Sequence, residues 1–184
     1  MTDREIQDIF RDSGDFIRRP LKIRGVTLYA YAIDGLVSGS EASGMVFRPL
    51  SNNLKGETVE QLYYEALHGG VYNIETSVCQ DMQTVLSCLV NGFCVVLFPG
   101  VGAVAYEVRS GNVRSPSPPE VENTEKGPKD AFVEALRTNT ALARQHLRCP
   151  ELTMYQTVVG ERSMTNVVVA YIRGVTDPRL VERI

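Results

Sequence analysis

Between Met82 and Tyr106 the chain carries no charged side chain over 25 residues, a run nominally long enough to span a bilayer. Asn91-Gly92 and Pro99-Gly100 cut that run into three short pieces, and Gln83, Thr84 and Ser87 add polarity. The pieces therefore read as a core helix over 80–90 and a β-hairpin, Phe93–Phe98 with 101–108, whose first strand is buried on both faces. Such a segment needs a complete globular core around it. With 43% apolar residues in 184, the chain can build one sizeable core or two small ones.

Charge excludes a nucleic-acid binder recruited by a global field, since 19 basic residues face 22 acidic ones for a net charge of −3. Cys79, Cys88, Cys94 and Cys149 form no C-x-x-C pair, and His68 and His146 lie far from any of them in sequence. Neither a zinc site nor a cofactor is expected. The start, Met1-Thr-Asp-Arg-Glu, precedes no apolar stretch of signal-peptide length, which suits a reducing compartment with free thiols. No G-x-S-x-G is present, and Pro99-Gly-Val-Gly102 lacks the Lys-Ser/Thr of a phosphate loop and precedes a strand. The reading is that the chain is not an enzyme.

Along the chain, 2–10 suits a short helix, Arg18, Arg19, Lys22 and Arg24 cluster beside a strand at 26–33, and Asp34-Gly35 turns the chain. Helices are expected over 40–47 and 58–67, with Gly69-Gly70 ending the second, and a short strand over 72–77. Strands alternating with helices point to a mixed α/β fold. At Ser115-Pro-Ser-Pro-Pro119 the composition changes, because clustered prolines remove backbone donors and favour extended chain. That divides the sequence into a first α/β subdomain over 1–112, a linker over 113–127 and an incomplete second subdomain over 128–184.

After the linker, the sequence predicts a long helix from Pro128 to Leu147 with Phe132, Leu136, Ala143 and Leu147 near one face. Five basic residues over 126–148, against Asp130 and Glu134, suit an acidic partner, anionic headgroups or a solvated face. Asn139, at interior spacing, needs a specific hydrogen-bonding neighbour. Strands over 152–159 and 165–172 follow, the second almost wholly apolar and so expected to be central, and Asp177-Pro178 opens a last helix.

Laying Gly35 over Gly174 reveals an internal repeat: Leu28-Tyr-Ala-Tyr-Ala-Ile-Asp-Gly35 faces Val167-Val-Val-Ala-Tyr-Ile-Arg-Gly174. Leu36 then meets Val175, Ala42 meets Val181 and Met45 meets Ile184. Two strand–Gly-turn–helix units with like apolar spacing fit either a duplication or a chance match of two βα units. Under duplication the second copy is truncated, which leaves an apolar face or sheet edge open to dimerisation or strand exchange.

The block Pro119-x-x-Glu122-x-x-x-Lys126-Gly-Pro-Lys-Asp-Ala-Phe132-x-Glu134-x-x-x-Thr138-Asn139-x-x-Leu142-x-Arg144 resembles the signature of the A subunit of GerA-type spore germination receptors. Tyr31-Ala-Ile-Asp-Gly-Leu-Val37, Arg48-Pro-Leu50, Asn91-Gly92, Val159-Gly160, Ser163, Thr165 and Ala170-Tyr-Ile-x-Gly174 fall in the same order as in that family. Lys126 stands where an Arg is usual, and Gln145-His146 replace a more basic pair. The resemblance, which also covers the A-type relative encoded with the spore dipicolinate channel proteins, implies the N-terminal cytosolic part of a membrane protein of the spore inner membrane. It further implies a transporter-like B subunit and a lipoprotein C subunit as partners, and a homo-oligomer of the full-length protein.

Two functions follow as expectations. The first is a non-enzymatic signalling and assembly module in nutrient-triggered germination, with Glu122, Lys126, Glu134, Asn139 and Arg144 at contacts between subdomains or subunits. The second is a small-molecule binding domain whose cleft between the subdomains is lined by Asp34, Arg109, Asn139 and Arg173.

Overall fold

A computed structural model describes residues 1–72, 75–109 and 131–183. It begins with helix α1 (Asp3–Phe10), started by a Thr2–Glu5 capping box, and the antiparallel hairpin β1 (Phe16–Ile23) and β2 (Val26–Ile33). The two-residue hairpin loop, Arg24 and Gly25, has φ of 50° and 87°, the left-handed pair that matches strand twist. Next come α2 (Gly39–Glu41), a π-helical turn (Ala42–Phe47) and α3 (Arg48–Asn53), then α4 (Val59–Glu65) and a second π-helical turn (Ala66–Gly70). The first unit closes with β3 (Thr76–Cys79), α5 (Met82–Val90), β4 (Phe93–Phe98) and β5 (Gly102–Glu107).

All five strands pair antiparallel in the order β1-β2-β4-β5-β3. β4 lies in the middle and every residue in it is buried, which accounts for the missing charges there. Its side chains alternate between two cores. Cys94, Val96 and Phe98 face α3, α4 and the turns around them, while Phe93, Val95 and Leu97 face α1 and α5. At Pro99-Gly100 the amide of Val101 donates to the Phe98 carbonyl at 3.0 Å and Gly100 has φ of 80°, the arrangement of a type II turn.

Residues 131–183 add α6 (Leu136–His146), the antiparallel hairpin β6 (Leu152–Val159) and β7 (Thr165–Ile172), and α7 (Pro178–Val181). The repeat read from the sequence runs deeper here. The two hairpins are matched in register, Phe16 opposite Ile33 and Leu152 opposite Ile172. Each is closed by the same hydrogen bond, Asp34 N–H to the Asp15 carbonyl at 2.7 Å and Arg173 N–H to the Glu151 carbonyl at 2.9 Å. Gly35 and Gly174 then turn the chain at φ of 83° and 84°. α1 stands before the first hairpin as α6 stands before the second, so the repeated unit is helix–hairpin–turn–helix.

Three expectations are corrected. The long helix starts at Leu136; 131–135 is not helical, Phe132 is exposed, and 128–130 lies outside the described residues. Asn139 explains the late start: its side chain accepts from the Val133 N–H and donates to the Val133 carbonyl, both at 2.7 Å, holding that segment as a strand neighbour would. β7, expected to be central, pairs only with β6 among the described residues and none of its residues is buried. β1, which sequence reading registered only as a basic cluster, is a full eight-residue strand. The proline-rich linker lies outside the described residues. None of the described helices is long and apolar enough to cross a membrane.

Candidate functional site

The two repeats meet where α6 crosses the Asp34-Gly35 turn. Gly35 makes the approach possible, because a Cβ there would stand 2.8 Å from Ala141 Cβ and 3.2 Å from the Arg137 carbonyl oxygen. One turn either side of Ala141, α6 presents an arginine to the first unit. Arg137 reaches Asp34 with Nη2 at 2.7 Å from Oδ1, an exposed pair worth at most about 1 kcal/mol.

Arg144 is different, since it is fully buried and Asp15 is only 2% exposed. Its Nε donates to Asp15 Oδ2 at 2.8 Å, and Nη2 donates to Asp15 Oδ1 and to Ser13 Oγ, each at 2.9 Å. Planar guanidinium and carboxylate thus meet through two parallel bonds, the strongest geometry such a pair has. Nη1 is buried with no hydrogen-bond partner among the described residues. The 13–15 turn is also gripped from β6: Ser13 Oγ accepts from the Met154 N–H at 3.0 Å, and the Gly14 N–H donates to the Met154 carbonyl at 2.8 Å. Helix α6, the 13–15 turn and β6 are therefore one hydrogen-bonded cluster spanning both repeats.

A third arginine, Arg148, extends the junction. Its Nη1 donates to Asn91 Oδ1 at 3.1 Å, the Asn91 carbonyl accepts from Arg109 Nε at 3.1 Å, and these groups with Gln145 border a cavity of about 130 Å³. Arg109 also lies 3.3 Å from Glu107.

Of the residues singled out from the sequence, Arg144 lies at the centre of this junction. Asn139 lies on the same helix with its amide bonded to Val133, Glu134 is exposed in the stretch before α6, and Glu122 and Lys126 lie outside the described residues. The proposed cleft residues have separate surroundings. Asp34 pairs with Arg137, Arg173 is half-buried at the end of β7, and Arg109 is the only one of the four bordering the 130 Å³ cavity. Ser13, Gly14 and Asp15 went unnoticed in the sequence; the one cue was a small-polar triplet just before a strand.

Fold and junction together define a mixed α/β domain in which a five-stranded sheet unit and a helix–hairpin unit are joined through a buried arginine. The profile of the family described as Bacillus/Clostridium GerA spore germination protein matches residues 4–184, and the chain belongs to that family. It is 29% identical over 165 residues to stage V sporulation protein AF of Bacillus subtilis (strain 168), covering 89% of this chain and 33% of that protein. It is likewise 29% identical over 153 residues to spore germination protein B1 of the same organism, covering 83% and 31%. The chain thus spans about a third of the length of these curated relatives. The crystal structure of the N-terminal domain of the A subunit of the Bacillus megaterium spore germinant receptor GerK3 superposes with a TM-score of 0.71 at 20% identity, over 98% of this chain and 66% of that one. The two share a fold.

Proposed function

We propose that the chain is the N-terminal part of the A subunit of a spore germinant receptor, and that it works as a non-enzymatic signalling and assembly module. Family membership and the shared fold support the first part. The observation that carries the second is the Arg144–Asp15–Ser13 cluster: a buried, bidentate ion pair between two repeats has two discrete conditions, made or broken, and so can pass a displacement of one repeat to the other. In this account the division into 1–112, 113–127 and 128–184 is the working one. A transporter-like B subunit, a lipoprotein C subunit and further copies of the A subunit are the partners, on the cytosolic face of the spore inner membrane. The edge of β7 at 168–170, unpaired among the described residues and equivalent to the stretch of β2 that receives β4, is where a further strand of a full-length A subunit would add to the second unit.

The test uses spores whose full-length gene carries Arg144→Met, or Asp15→Leu with Arg144→Met. The second variant removes both buried charges and so should lose less stability than the first. With receptor levels matched by immunoblot, both variants should germinate at least about tenfold more slowly, a coupling loss of about 1.4 kcal/mol or more. Germination at the unmodified rate in the double variant would contradict the proposal.

A further inference from the structure

A pocket of about 260 Å³ lies in the first unit, on the sheet face away from the junction. Its floor exists because of the register of the first hairpin. On that face the cross-strand pairs are Leu21 opposite Leu28, then Arg19 opposite Ala30, then Ile17 opposite Ala32. Leucines fill the first position, whereas two alanines leave the next two hollow. Cys94 of β4 continues the floor, and the π-helical turn supplies the roof through Ala42, Ser43 and Phe47. Single π-helical turns in otherwise α-helical segments recur at functional sites.

The polar groups of this pocket are few. Arg18 and Arg19 point to opposite faces of β1, and their surroundings differ. Arg18 meets Asp3 at 2.6 Å, whereas Arg19 has no carboxylate within ion-pair distance among the described residues. The Ser43 hydroxyl is the other side-chain donor at the roof. The floor is uncharged, because burial pushes the Cys94 thiol up to about 12.

We infer that this pocket binds a small aliphatic carboxylate, its hydrocarbon over Ala30, Ala32 and Cys94 and its carboxylate on Arg19. One guanidinium with no counter-ion among the described residues matches one carboxylate, while the apolar floor rejects a second charge. The volume is below that of drug-sized ligand sites, so the guest has on the order of eight non-hydrogen atoms. The site needs neither the junction nor the receptor assignment.

The test is a two-dimensional NMR titration of the 184-residue chain with 4-methylpentanoate and with its uncharged amide. The acid should give saturable shifts at Ala30, Ala32, Ser43 and Phe47 with millimolar or tighter affinity, and the amide should bind at least about tenfold more weakly. Arg19→Gln should bring the acid down to the amide's affinity. Ala32→Leu should abolish binding of both by filling the floor. Gly39→Leu provides a second block, since a Cβ at Gly39 meets no atom within 4 Å and the fold should be kept. The inference is overturned if no saturable shifts occur up to about 10 mM, if acid and amide bind alike, or if shifts persist in a folded Gly39→Leu chain.

Discussion

At Arg144 the sign of a substitution depends on what is left behind. Removing the guanidinium strands the Asp15 carboxylate in a site 2% exposed, so Arg144→Met should cost about 3–5 kcal/mol of unfolding free energy in urea titrations. Replacing Asp15 by Leu as well removes the stranded charge, and the double variant should recover more than half of that loss. A pH effect belongs to Asp3, whose carboxyl is held below its usual value chiefly by the hydrogen bond from Arg18, with Tyr31 and Gln7 adding to it and burial opposing it. A depressed carboxyl stabilises the fold above its unfolded pKa and loses that contribution as pH falls through the folded one. Asp3→Asn should therefore cost about 1–2 kcal/mol at pH 7 and close to nothing near pH 2, read as the difference between two denaturation series. Arg144 was legible because its helix and its resemblance to a family pattern both marked it. Its partners were not, since a Ser-Gly-Asp turn has no periodicity and its burial is created by α6 and β6 from more than a hundred residues away.

Elements with strong local signals were read within a few residues. α1, α5, β2 and β4 have the capping, apolar spacing or uninterrupted hydrophobicity that decides structure locally. β1 carries no strand signal in the sequence, because Arg18, Arg19, Pro20 and Lys22 suit an edge strand, where a missing N–H and solvated charges are tolerated. The helix after the linker is shorter than its sequence suggests, because charge placement and Pro128 fit a helix start while the chain first becomes helical at Leu136. The Asn139–Val133 bonds offer 131–135 an alternative that periodicity does not register. The repeat allows a matched experiment on two turns: Gly35 and Gly174 share the same left-handed φ, but a Cβ at Gly35 collides with α6 while one at Gly174 meets nothing within 4 Å. Gly174→Ala should cost only the backbone strain, about 1 kcal/mol, and Gly35→Ala about 2–4 kcal/mol, both measured by chemical denaturation.

For the molecule as a whole, the charge-free run sets much of the architecture, because it supplies helix α5, the fully buried middle strand β4 and most of β5. That much, with the α/β class, could be read in the sequence, and the likeness of the two hairpin–turn segments was visible there as a match that left duplication and chance both open. How the halves touch could not, because the contact depends on one glycine admitting a helix and one arginine entering a cavity built by distant residues. For the proposed signalling role, that contact must be altered when a receptor containing this chain responds. Hydrogen exchange on the intact receptor, with and without germinant, tests it most directly. Amide protection across 11–16 and 136–156 should change together on germinant addition, as expected of a single cluster that is made or broken. Unchanged protection over both stretches, at a germinant concentration that alters exchange elsewhere in the receptor, would contradict it.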